Sequence, residues 1–181
     1  MDITIQQDPI SLRSEYEITT PGCIYIAQKK FFSWGDKIKI FGPGDRLVAR
    51  IRSRMSLFRK RYDFELADGL IYRFRQEKLW TGVHACEGAN DRYVLYEHRG
   101  LNYSVFQNDS QIAAFTKNSF KIGNGDRYEI QINDDANVVI VICLALTIDA
   151  SENENIATTL TYDFGQIGPE ARPFDKSWKP S

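Results

Sequence analysis

The sequence predicts a mainly β domain in which an antiparallel meander closes into a barrel around the chain's own most apolar segment. Short alternating runs separated by tight-turn signals fill residues 23 to 132. They are followed by nine consecutive apolar residues, Val138 to Leu146, a density reached nowhere else in the chain. Many antiparallel strands with one solvated face must close or stack to protect their edges, and a barrel with a filled lumen does both.

Residues 1–22 are mixed and polar and end in the turn signal Thr20-Pro21-Gly22, so they read as an N-terminal segment outside the barrel. Nine strands follow. They are Ile24 to Ile26, Lys37 to Phe41, Leu47 to Ile51, Tyr62 to Leu66, Leu70 to Phe74, Tyr93 to Tyr96, Tyr103 to Phe106, Ile112 to Phe115 and Tyr128 to Ile132. The turns GPGD, ADG, HRG, QND and NGD between them suit hairpins. Tyr62, Tyr103 and Tyr128 each open a strand, with Asp68, Asp109 and Asp134 six residues later. The stretch Phe32 to Ile40 also matches Phe120 to Ile130, with Gly35 and Gly125 90 residues apart, which suggests two related halves.

The apolar segment is too short to cross a bilayer, since about 12 helical residues reach ~18 Å against a hydrocarbon core of ~30 Å. Its local conformation is contested. Val138 to Ile142 are all β-branched and favour strand, while Asp134 and Asp135 are candidate N-caps and Cys143-Leu-Ala-Leu suits a helix. On propensity alone the strand is favoured. Beyond Asp149 the chain turns polar, and residues 150–181 form a C-terminal extension with one further expected strand, Thr158 to Phe164.

Composition narrows the function. A chain of 181 residues suffices for one domain with a real core, and 43% hydrophobic content with 13% aromatics excludes global disorder. Net charge is −1, but residues 29–61 hold eleven Lys or Arg against Asp36 and Asp45. That window is therefore +9 and the remainder −10, a hint of an anionic partner. Cys23, Cys86 and Cys143 are too few and too widely spaced for a disulfide framework or a metal knuckle, which points to a reducing compartment. The opening MDITIQQDPI reads as no secretion signal, so the expected location is cytoplasmic.

Enzymatic patterns are weak. His84 and His98 have no ligand spacing to a Cys or acid, no Gly-x-Ser-x-Gly elbow occurs, and Gly42-Pro-Gly44 precedes a strand rather than a helix. No catalytic residue, cofactor or metal is expected. The pattern that does carry chemistry is Arg50-x-Arg52-x-Arg54, which sets three guanidinia on one face of a strand. With Lys29, Lys30, Lys37, Lys39, Arg59, Lys60 and Arg61 it makes a candidate anion-binding set that could hold phosphates through charge-assisted bonds. The same residues could also be ordinary outward charges that keep a barrel soluble. Met55 to Phe58 reads as a packed connector, with dipping into a membrane interface the second reading. Trp34 and Trp80, beside turns, read as core.

The order of KKFFSWGDKIKI, LVARIRSRMSLFRKRYDFELADGLIYRFRQEKL and the apolar segment ending at Thr147-Ile-Asp149 resembles the tubby C-terminal-like superfamily, in its LURP-one-related and scramblase-like branch. The likeness covers roughly residues 24–149. It implies a closed barrel over residues 23–149 threaded by a central hydrophobic helix at about 136–148, reversing the propensity reading. Phosphoinositide-binding and membrane-associated proteins belong to that superfamily. This chain has neither the cysteine cluster nor the membrane-directed tail of a scramblase-like member, and it runs on for 32 residues past Asp149. The expectation is a non-enzymatic, cytoplasmic module, peripheral to a membrane, that binds phosphoinositide or anionic phospholipid head groups. The alternative is a protein-interaction scaffold that docks an acidic protein partner. Nucleic acid ranks last, because the basic stretch lacks interleaved exposed aromatics.

Overall fold

The computed structural model describes residues 1–8, 15–29, 36–54, 61–78, 82–119, 125–156 and 171–181. Twelve strands run up and down around one closed barrel: β1 (Asp2–Gln7), β2 (Glu15–Thr19), β3 (Ile24–Lys29), β4 (Asp36–Gly42), β5 (Arg46–Arg54), β6 (Arg61–Leu66), β7 (Ile71–Lys78), β8 (Val83–Glu87), β9 (Arg92–His98), β10 (Asn102–Gln107), β11 (Ser110–Ser119) and β12 (Asp126–Ile132). Each pairs antiparallel with its sequence neighbours, and β1 closes the wall against β12 with Ile3 opposite Ile130 and Ile5 opposite Tyr128. The barrel therefore starts at Asp2, and residues 1–22 are not a separate segment. Ile3 and Ile5 on β1 and Tyr16 and Ile18 on β2 alternate into the core, a period-two signal as clear as that of the nine expected strands. β8, Val-His-Ala-Cys-Glu, was also unexpected, because four of its five residues are buried and no alternation shows.

The lumen is occupied by α1 (Val138–Ile156), whose residues 140–150 are all buried. Twelve strands enclose more space than wall side chains alone can fill. A strand placed there would find the wall's hydrogen-bond ladder already closed. Each unpaired buried N–H or C=O would cost about 1–3 kcal/mol, far more than the few tenths per residue by which β-branched residues disfavour a helix. A helix satisfies its own backbone, so burial overrides propensity. Its cap is Asn137, not Asp134 or Asp135. The Asn137 Oδ1 accepts from the backbone N–H of Val139 at 3.1 Å and of Ile140 at 3.3 Å.

The tyrosine repeat has a structural meaning. Tyr62, Tyr103 and Tyr128 are buried at the starts of β6, β10 and β12, and Asp68, Asp109 and Asp134 lie in turns at the opposite end. The 90-residue match does not mark a two-fold. Its copies, β4 and β12, stand four strands apart around the barrel, where two-fold mates among twelve would stand six apart. The expected strand Thr158 to Phe164 lies outside the described residues, as do Trp34, Trp80 and Met55 to Phe58. All three cysteines are free, with Cys86 and Cys143 buried. Among the described residues no helix is long and apolar enough to cross a membrane.

Candidate anion-binding face and a buried charge cluster

On β5, Ala49 and Ile51 are buried in the lumen, so the alternating Arg50, Arg52 and Arg54 face outward, as their spacing requires. Pairing register extends the face. Arg50 lies between Lys39 of β4 and Glu65 of β6, and Arg52 between Asp36 and Asp63. Arg54 opposes Arg61, which in turn opposes Arg75 of β7. Arg73 of β7 lies opposite Asp63. Arg73 and Arg75 fell outside the basic window of the sequence but belong to this face, and their alternation with Tyr72 and Phe74 was a signal that could have found them.

Acids from neighbouring strands interleave with these arginines. Arg52 Nη1 donates to Glu65 Oε1 at 2.9 Å, Arg54 Nε pairs with Asp63, and Arg75 Nη2 reaches Glu87 Oε1 at 2.9 Å. Each of these pairs is diagonal, an arginine leaning toward the acid one step along the neighbouring strand. Arg61 and Arg73 make no ion pair among the described residues, and both are exposed. Arg50 Nε is buried without a hydrogen-bond partner. Arg54, Arg61 and Arg75 stand directly opposite one another on adjacent strands, where like charges repel, and Asp63 and Glu87 pair with the outer two.

Of the remaining expected residues, Lys37 sits at the β4 bulge, and Lys30, Arg59 and Lys60 lie outside the described residues. Lys29 is not on the face at all. It follows Ala27 into the lumen, where its Nζ donates to Asp149 Oδ2 at 3.2 Å.

Asp149 is fully buried near the end of the apolar run, and it is the centre of a cluster that sequence reasoning missed. The Tyr16 hydroxyl donates to its Oδ2 at 2.5 Å and the Tyr128 hydroxyl to its Oδ1 at 3.0 Å. Lys117 Nζ lies 3.6 Å from Oδ1 and 3.0 Å from Asp126 Oδ2. Burial alone would raise the Asp149 carboxyl, but the Lys29 and Lys117 ammonium groups and the Tyr16 hydroxyl outweigh it and hold the acid below the ordinary carboxylate value. Tyr16 is pushed far up, by burial first and by Asp149 next. Two lysines stand against two aspartates, and the Asp149 carboxylate takes hydrogen bonds from Tyr16, Lys29 and Tyr128 with Lys117 at ion-pair distance. The signal was an acid terminating an apolar run. Its chemistry is that of a bolt, fixing α1 to β2, β3, β11 and β12 on both sides of the β1–β12 closure.

The comparison with curated proteins gives no match, and neither does the comparison with solved structures. The family model described as LURP-one-related matches residues 1–149. That span takes in every strand of the barrel and α1 as far as its buried acid, and it is consistent with the tubby-like architecture. The chain belongs to the LURP-one-related family.

Proposed function

We propose that the protein is a non-enzymatic binding module whose β4–β7 face takes an anionic ligand, a phosphoinositide or an anionic membrane surface met from the cytoplasmic side. The observation that carries this reading is the cross-strand row Arg54, Arg61, Arg75 beside exposed Arg73. Lys39, Arg50, Arg52, Arg54, Arg61, Arg73 and Arg75 face outward there, interleaved with Asp63, Glu65 and Glu77 and bordered by Glu87 of β8. The ion pairs of Arg52 and Arg54 pre-order two guanidinia, while Arg61 and Arg73 stand ready for phosphate oxygens.

The test is sedimentation with neutral vesicles and with vesicles containing phosphoinositide or phosphatidylserine, at low and near-physiological salt. Arg61→Glu with Arg73→Glu is the informative variant, because neither residue supports a described ion pair. Each basic residue near an anionic surface contributes roughly 1 kcal/mol, so the double reversal should weaken salt-sensitive binding by well over about tenfold. Absence of binding to anionic vesicles would favour the alternative, a protein-interaction module with no lipid ligand. That reading draws on the interleaved acids, which already neutralise part of the face.

A further inference from the structure

The wall at β9 and β10 is built differently from the basic face. Outward residues such as Glu17, Arg73 and Glu129 are exposed, whereas Val83 and Ala85, outward on β8, are covered. On β9 and β10, His98, Ser104 and Phe106 also face outward, yet they are 1%, 3% and 6% exposed. Among the described residues, the segment 171–181, which lies beyond the family match, packs on this wall through Arg172 and Phe174. The Phe174 ring stands 5.0 Å from the His98 imidazole, whose Nε2 is hydrogen-bonded to Ser104 Oγ at 2.8 Å. The Arg172 guanidinium lies 3.9 Å over the Phe106 ring and 5.8 Å from the Tyr96 ring. Tyr96 and Phe106 meet edge to face at 5.5 Å, forming a two-ring platform of the kind that recognises a guanidinium.

The covering segment is held lightly. Within 171–181 only Phe174, Trp178 and Pro180 are better than exposed, and its backbone reaches the barrel through Ser181 N to Asn133 Oδ1 at 3.0 Å and Asp134 N to Ser181 O at 3.2 Å. It also leaves room. A cleft of about 340 Å³ runs on from Phe174 along β11, β12 and β1, past Thr116, Arg127, Glu129 and Thr4. A covering evolved only to seal the wall would be expected to fill that space.

We propose that this wall is a docking groove for an extended segment of a partner protein carrying an arginine and, two residues on, an aromatic. Residues 171–181 are its occupant in cis, a strap that competes with the partner. Pro173 holds its own φ near −65° and disfavours helical conformation at Arg172, so the guanidinium is presented from a bend and the ring from the irregular stretch that follows it. The groove is a different face from the basic one, and the proposal stands without any lipid ligand.

The test uses the full chain and a fluorescent peptide with the sequence of residues 171–181. An opened variant, Arg172→Ala with Phe174→Ala, alters the strap and leaves the barrel untouched. Peptide anisotropy should show binding to the opened variant and binding at least about tenfold weaker to the wild type, whose groove is occupied. A peptide carrying the same two alanines should not bind, and Phe106→Leu in the opened variant should weaken binding. An opened variant that melts like the wild type yet fails to bind, or that binds both peptides equally, overturns the proposal. A wild-type chain that dimerises with concentration, through exchanged 171–181 segments, would overturn it in favour of a second copy as occupant.

Discussion

Replacing Asp149 by asparagine keeps the shape of the side chain and removes its charge, which makes it the sharpest probe of what holds α1 in the barrel. Lys117 would keep Asp126 at 3.0 Å, but Lys29, with a side chain only 10% exposed, would lose the carboxylate it reaches. The new amide would also point two donors at a site already lined by Tyr16, Tyr128, Lys29 and Lys117 donors. Breaking a buried pair from one side costs about 3–5 kcal/mol, a large share of the roughly 5–15 kcal/mol by which domains are stable. For a chain of this size each kcal/mol moves Tm by about 2–4 °C, so the melt followed by circular dichroism should fall by roughly 6–20 °C. Combining Asp149→Leu with Lys29→Met removes both charges and should be milder than Asp149→Leu alone, because no lone buried cation remains. A drop under about 2 °C for Asp149→Asn, or strict additivity in the pair, would refute the bolt.

The same residue fixes an acid dependence. Its carboxyl is depressed in the fold relative to the unfolded chain, where about 3.9 is ordinary. Its stabilisation is therefore fully present above that value, and it is lost as pH falls from there through the lowered folded pKa. Asp149→Asn should flatten that part of the Tm-against-pH curve while leaving the slope from other acids. An unchanged slope below pH 4 would assign the acid transition to other carboxylates.

Three further outcomes follow from named contacts. Asn137→Ala removes the acceptor that caps α1 and should cost about 1 kcal/mol, read as a small Tm loss with an unchanged helical signal. Gly125 has φ +66° and a Cβ there would come within 2.6 Å of the Gln7 carbonyl oxygen, so Gly125→Ala should destabilise by more than about 1 kcal/mol, where an exposed loop glycine would tolerate the change. Burial pushes the Cys86 and Cys143 thiols up. A thiol reagent should therefore label Cys23 in the native protein and the other two only on denaturation. Three fast thiols in the folded chain would contradict the packing.

Much of the wall could be read from the sequence because alternation is a local property. Each of the nine expected strands carries its own inward set, as Tyr62 and Phe64 do on β6, and each is bounded by its own turn. β1 and β2 carry the same pattern in Ile3, Ile5, Tyr16 and Ile18, but the polar residues between them dominate the composition and mask it. β8 gave no alternation because its outward side is covered as well. The helix was the opposite case. Val138 to Ile142 favour strand one residue at a time, and only the closed wall around them makes a self-satisfied backbone decisive.

The candidate site shows the limit of a linear window. Period two correctly put Arg50, Arg52 and Arg54 on one face, yet the charge of a face is set across strands, by register. Glu65, Asp63 and Glu87 enter from β6 and β8, beyond the basic stretch, and Arg73 and Arg75 enter from β7. Lys29 leaves because its parity on β3 points it inward to an acid 120 residues away. A +9 window thus becomes a mixed lattice in which Arg61 and Arg73 are exposed and make no ion pair among the described residues. Charge reversal at Arg52 or Arg54 would test ion pairs and ligand together, whereas reversal at Arg61 and Arg73 separates the ligand from the fold.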